Sequence, residues 1–318
     1  MRLCRFEDEK QPRAAFYFDD RIVPIEPAAR VYQERTHKKL PISGSDDLLE
    51  YLPPQGKGFR DANEIASWLA DNPGAADGVQ KDLSSIRLLT PIPRPPKLLL
   101  LAGNYVSHIE EGGGVAVTRQ KTFPYVFMKP IATTLNHPGA PIPIPSISPN
   151  HIDWEVELGV VIGKRARGVT ETEALRHVAG YTVVNDISDR KFRPNPMRQL
   201  REGDSFFDWL HGKWHDGFCP VGPCIRSADS LPDPQQLRLT LKVNGDLKQN
   251  SSTAEQIFFV AAVVAFISSF VTLEPGDIIS TGTPAGTGVA TNTFLKVGDR
   301  MEAAIEGIGM LRNQMVAG

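Results

Sequence analysis

Residues 153–158 read Asp-Trp-Glu-Val-Glu-Leu and open onto the apolar run EVELGVVIG. The apolar and β-branched content predicts a strand. Alternation along a strand puts Glu155 and Glu157 on one face, about 7 Å apart along the backbone. On a solvated edge such a pair is ordinary. Beside a run that must be buried, it carries a steep desolvation cost unless a positive charge sits between the carboxylates. Asp186 ends a second apolar stretch, YTVVND, where a strand gives way to a loop and sites often gather. Oxygens from all three residues could share one divalent cation. Hard carboxylate ligands without nearby thiolates favour Mg²⁺ or Mn²⁺, with Ca²⁺ admissible and Zn²⁺ less suited. The alternative is a solvated acidic face, and an E-x-E alone does not decide between them.

The chain that must position these residues has 318 of them, more than a single core usually organises, so one large domain and a smaller one are expected. Apolar residues make up 41% and charged residues 23%, which permits a substantial core and argues against disorder. A net charge of -2 leaves no excess of Lys or Arg for phosphates, which argues against nucleic acid as the main partner. Cys4, Cys219 and Cys224 form no CxxC pair, so neither a disulfide framework nor a thiolate zinc site is indicated. The opening MRLCRFEDEK carries charges where a secretory signal needs an apolar stretch of about 7–15 residues. The most apolar run, 257–271, is shorter than the roughly 20 residues of a membrane span. A cytoplasmic protein with no membrane partner is expected.

Up to about Thr90 the chain is polar and mixed, with a hairpin pattern AAFYFDDRIVPI and a helical pattern at 61–69. TPIPRPPK, residues 90–97, places four prolines in eight residues and reads as an extended linker. Strand signals then recur to the C-terminus: KLLLLAG, YVFMKP, EVELGVVIG, YTVVND, LRLTLKVNG, DIISTG and RMEAAIEGIG. Two capping-box patterns, Thr170 with Glu173 and Ser252 with Glu255, predict helices over 171–179 and 253–271. The expected organisation is a small N-terminal α+β accessory domain, 1–92, and a mainly β domain, 93–318.

Read with its surroundings, DWEVELGVVIGKRARGVTETEALRHVAGYTVVND resembles the metal-binding core of the fumarylacetoacetate hydrolase superfamily. VNGDLKQNSST, TLEPGDIISTGTPAGTG and FLKVGDRMEAAIEGIGMLRN are similar to its later blocks, in the same order, so the resemblance spans roughly 97–316. It implies an α+β, mainly β fold, a mixed β-roll or sandwich with flanking helices, often homodimeric. It also implies that Glu155, Glu157 and Asp186 hold Mg²⁺ or Mn²⁺.

GNYVSHIEE resembles the family's N-Y-x-x-H-x-x-E segment, a short helix that can close over substrate. On one helical turn Glu111 could orient His108 and raise its basicity. Lys213 falls where the family has a lysine beside the metal, suited to stabilising charge on a carbonyl oxygen. Lys129 matches the L-K-P segment, and Thr283 matches a pocket threonine on a glycine-rich loop. Arg190 matches the family arginine, with Asp189 replacing the usual small residue before it. Arg193 stands where many relatives carry a water-orienting glutamine. Arginine has only donors, so it could hold a carboxylate but could not accept a hydrogen bond from water.

The resemblance therefore implies an enzyme for a small 2-oxo acid. The first expectation is a hydrolase that cleaves a carbon–carbon bond in an acylpyruvate-like 1,3-diketo acid, with His108 activating water. Decarboxylation of an oxaloacetate-like acid or isomerisation of an unsaturated 2-oxo acid would use the same site. A catalytically silent metal- or ligand-binding protein is the rival from another class.

Overall fold

The computed structural model describes residues 1–116 and 118–318. Twelve strands join into one twisted sheet and five into a second, with short helices around them. This is the α+β, mainly β architecture expected. Along the large sheet the order is Lys81–Asp82, Arg21–Pro24, Gln11–Tyr17, Arg2–Asp8, Cys219–Ser227, Val178–Asn185, Val156–Ile162, Ile278–Ser280, Leu98–Ala102 and Tyr125–Met128. The small sheet runs Asp246–Ser252, Arg238–Val243, Arg300–Ile305, Gly309–Ala317 and Pro141–Ile144. The Asn244-Gly245 pair turns the first two of these strands, with φ of 52° and 88° as a tight hairpin requires.

The Val156–Ile162 strand is buried on both faces, and its period of two decides what each face does. Val156, Leu158, Val160 and Ile162 join a cluster with Leu239, Leu241, Met301 and Leu311 of the small sheet. That cluster is the filling between the sheets. Val161 packs into a second cluster on the opposite face, with Val184, Ile225 and the helix residues Ile65 and Leu69. Glu157 shares the parity of Val161, so it points away from the sandwich interior.

Residues before 90 contribute to both clusters, Cys4 and Phe6 to the first, Leu3 and Phe16 to the second. The reason is the seam between Arg2–Asp8 and Cys219–Ser227, which pair antiparallel with Arg2 opposite Arg226.

Local expectations fared unevenly. The Asp61–Leu69 pattern lies within a helix, Phe59–Asp71. The Thr170–Glu173 capping box is formed, but its helix stops at Ala174 and finishes in a tighter turn, Leu175–His177. The helix expected from 253 begins at Val260 instead. Asn104 explains the delay: its backbone carbonyl accepts from the Ile257 amide at 2.8 Å and its side chain accepts from the Phe258 amide at 2.8 Å, holding this stretch extended. Among the described residues no helix is long and apolar enough to cross a membrane.

Phe6 is fully buried in the filling between the sheets. Phe6→Ala should therefore destabilise the whole chain by about 3–5 kcal/mol, read as a single shifted urea transition followed both by far-UV circular dichroism and by tryptophan fluorescence. Two separated transitions would show that the first strands fold apart from the rest.

Candidate active site

Glu155 and Glu157 flank Val156 at the start of the central strand, and Asp186 follows the neighbouring Val178–Asn185 strand. The Asp186 amide donates to the Glu155 carbonyl at 2.9 Å, which fixes the two strand ends together. One oxygen from each of the three lies within 4.8 Å of the others, and all three residues are buried.

Three cations surround this cluster. Lys213 Nζ donates to Glu155 Oε2 at 3.0 Å, Asp186 Oδ2 at 2.6 Å and Ser188 Oγ at 2.9 Å. Lys129 Nζ donates to the carbonyls of Ile187 at 3.0 Å and Phe218 at 2.6 Å and pairs with Asp186 Oδ1. Arg190 places Nη2 2.6 Å from Glu155 Oε1 and donates from Nε to Asp153 Oδ2 at 2.7 Å. The donors of both lysines are thus engaged within the protein.

The charges are unevenly shared. Burial opposes ionisation of Glu155, but Lys213 and Arg190, with His108 further off, hold its carboxyl well below the usual range. Burial, then repulsion from Asp186 and Glu155, pushes Glu157 well above it. Among the described residues only Ser280 Oγ, at 2.6 Å, and the Gly282 amide, at 2.8 Å, donate to Glu157. Asp186 Oδ1 receives no well-directed hydrogen bond. A buried all-oxygen cluster with one carboxylate short of a counter-charge fits a hard divalent cation such as Mg²⁺ or Mn²⁺.

His108 and Glu111 lie on the short helix Val106–Glu111, with His108 Nδ1 2.9 Å from Glu111 Oε1. Glu111 is fixed in turn by the Gly286 amide at 2.8 Å and the Thr287 hydroxyl at 2.8 Å. Burial disfavours its charge, but the contacts to His108, Gly286 and Thr287 keep its pKa below the ordinary value. The same glycine-rich loop is held from the other side by Asp153, which accepts from the amides of Gly288 at 2.6 Å and Val289 at 3.0 Å. A Cβ at Gly286 would sit 2.1 Å from the Lys248 carbonyl, so only glycine fits.

Glu155, Glu157, Asp186, Lys213, Lys129 and Arg190 therefore converge, and the loop that Asp153 and Glu111 both grip ties His108's partner to them. Thr283 does not offer a free hydroxyl: it donates to the Val156 carbonyl at 3.0 Å and accepts from Gln249 at 2.8 Å. Arg193 stands apart, 60% exposed, with Nε 3.9 Å from Asp208. Sequence reasoning assigned no role to Asp153 or Gln249. Asp153 carried a readable signal, being a third acid two residues before Glu155. Gln249 carried none, since it reaches the Val156 amide across 93 positions of sequence.

A family model described as fumarylacetoacetate hydrolase, C-terminal, matches residues 97–316. The chain belongs to the fumarylacetoacetate hydrolase family, whose enzymes act on small keto acids. Among its relatives, the mitochondrial oxaloacetate tautomerase of Xenopus laevis is 39% identical over 83% of this chain and 79% of its own length. A 2,4-didehydro-3-deoxy-L-rhamnonate hydrolase of Sphingomonas sp. is 42% identical over 69% of this chain and 73% of its own. Maleylpyruvate hydrolase of Sphingobium sp. SYK-6, solved with manganese(II) and pyruvate, superposes over 100% of both chains with a TM-score of 0.71 at 28% identity.

Because a cation must displace the proton that Glu157's raised pKa retains, Mn²⁺ uptake should release protons, and affinity should fall by up to about tenfold per pH unit below that pKa. Calorimetry in two buffers of different ionisation enthalpy measures both. Glu157→Gln should weaken uptake by more than the roughly 10–100-fold that losing a supporting residue costs. Unchanged uptake would remove Glu157 from the ligand set.

Proposed function

We propose that this chain is a divalent-metal-dependent enzyme that moves a proton at the carbon beside the keto group of a small 2-oxo acid, interconverting keto and enol forms. The carrying observation is the His108–Glu111 dyad, tied through the loop at Gly286–Val289 to Asp153 and so to a carboxylate cluster ringed by cations. A divalent cation held by Glu155, Glu157 and Asp186 would supply a Lewis acid for the substrate's carboxylate and keto oxygens.

The chain's own residues do the proton work. Nδ1 of His108 is engaged by Glu111, which leaves Nε2 to take the proton from carbon. Glu111, anchored on Gly286 and Thr287, fixes the ring and stabilises the imidazolium that forms. Charge then moves onto the keto oxygen, and the proton held on His108 Nε2 is returned there, directly or through water, which completes the enol and restores the neutral imidazole. With their donors engaged, Lys213 and Lys129 act, together with Arg190, as a preorganised positive field that favours this charge.

Hydrolysis of an acylpyruvate is the second reading, favoured by the likeness to two hydrolases. It additionally needs a water held for attack, and the residue at the position where relatives carry the orienting glutamine is the exposed Arg193, which has no acceptor. The tautomerase relatives and this missing acceptor together favour proton transfer.

The test supplies Mg²⁺-loaded protein with enol-oxaloacetate, followed by ultraviolet decay, and with acetylpyruvate, followed by pyruvate release. Faster enol decay without pyruvate is the expected result, and pyruvate release as the dominant activity would favour hydrolysis. His108→Ala should slow the reaction about 10²–10⁴-fold while Mn²⁺ affinity stays within threefold. A variant as fast as the parent would rule out His108 as the base.

A further inference from the structure

Asp189 and His215 take no part in the proton transfer described, yet they meet directly behind it. Asp189 ends the short Ser188–Asp189 strand, its side chain is fully buried, and its Oδ2 lies 3.6 Å from Nε2 of His215. At that distance the two are in contact without a hydrogen bond, and among the described residues neither atom has a hydrogen-bond partner. The second carboxylate oxygen of Asp189 accepts one backbone donor, the Lys191 amide at 3.1 Å. The imidazole is gripped edge-on by Phe192 and Phe218, with ring centroids at 5.1 and 5.0 Å. A buried carboxylate this poorly supplied with donors is costly unless a polar partner faces it, and the imidazole edge carrying Nε2 is the group so placed.

The two residues belong to the segments that deliver the site's cations. Ser188, before Asp189, holds Lys213 at 2.9 Å, and Arg190, after it, lies 2.6 Å from Glu155. His215 stands two positions beyond Lys213. The segments already touch closely, since the Asp189 amide donates to the Gly212 carbonyl at 2.9 Å and a Cβ on Gly212 would lie 2.3 Å from the Asp189 carbonyl. The contacts at the Lys213 tip orient the ammonium. The Asp189–His215 pair fixes the base from which that tip extends.

We propose that Asp189 and His215 are a positioning pair that locks the Lys213 and Arg190 segments together and so sets the cationic field over the carboxylate cluster. The kinetic arm of the test rests on the proton-transfer reading above, whereas the labelling arm does not. Asp189→Ala should expose Lys213 to reductive methylation, raising its labelling at least fivefold by peptide mass spectrometry. The same variant should lower kcat on enol-oxaloacetate by about tenfold with KM within threefold. Asp189→Asn, which keeps an acceptor before Nε2, should restore both towards the parent. His215→Phe should match Asp189→Ala, and the double variant should be no worse than either single one, as a shared interaction requires.

Parental labelling and kcat in Asp189→Ala would overturn the proposal, as would equal damage in Asp189→Ala and Asp189→Asn or additive losses in the double variant. Should the parent turn over neither acid, the functional reading fails, and the labelling of Lys213 still decides the pair.

Discussion

Four carboxylates, those of Asp153, Glu155, Glu157 and Asp186, are buried together against only three cations, those of Lys129, Lys213 and Arg190. Charges removed from water are tolerated only when paired and hydrogen-bonded, and this imbalance governs the surrounding structure. Arg190 bridges Asp153 and Glu155, and the two lysines pair with Asp186. Among the described residues Glu157 remains the acid without a cation of its own, and burial, then repulsion from Asp186 and Glu155, raises its pKa. A divalent cation bound among these oxygens would make up the shortage.

The sandwich is what makes such a place affordable. Alternate residues of the Val156–Ile162 strand fill the space between the sheets, so the strand cannot slip without burying a carboxylate in that apolar layer. The glycine-rich loop after Ile278–Ser280 then ties the cluster to the His108 helix. Asp153 holds it at Gly288 and Val289, Glu111 at Gly286 and Thr287, and Trp154 donates to the Gly286 carbonyl at 3.0 Å. The groups that bind charge and the group that moves protons are thus registered against one rigid piece of backbone.

How much of this the sequence discloses depends on whether a signal is local. Glu155 and Glu157 were legible because two acids beside an apolar run violate the usual economy of burial. Strands such as Arg238–Val243 and Arg300–Ile305 were legible by alternation. The Cys219–Ser227 strand was not, because Pro220 and Pro223 remove ladder donors and argue against a central strand. The late start of the Val260–Phe270 helix was hidden too, since Ser252 caps only a short turn through the Ala254 amide, Glu255 accepts from the Ser251 hydroxyl instead of closing the capping box, and Asn104, far away in sequence, holds the next stretch extended. Lys129 and Lys213 were found only through resemblance, for a lysine announces nothing locally about the carbonyls and carboxylates it will meet.

The seam between the first strand and Cys219–Ser227 also has a bearing on how the molecule comes into being. Its partners stand as far as 226 positions apart, as Met1 and Ser227 do. At about 5–20 residues per second, translation leaves the earlier strand waiting roughly 10–45 s for its neighbour. Closing so long a loop is entropically slow, and until it happens the Arg2–Leu3 end of the strand, which Arg87–Leu89 does not cover, presents an open edge to every other nascent chain nearby. Assembly of this chain is therefore a matter of timing, with one end of the Arg2–Asp8 strand left without its neighbour until Cys219–Ser227 has been made.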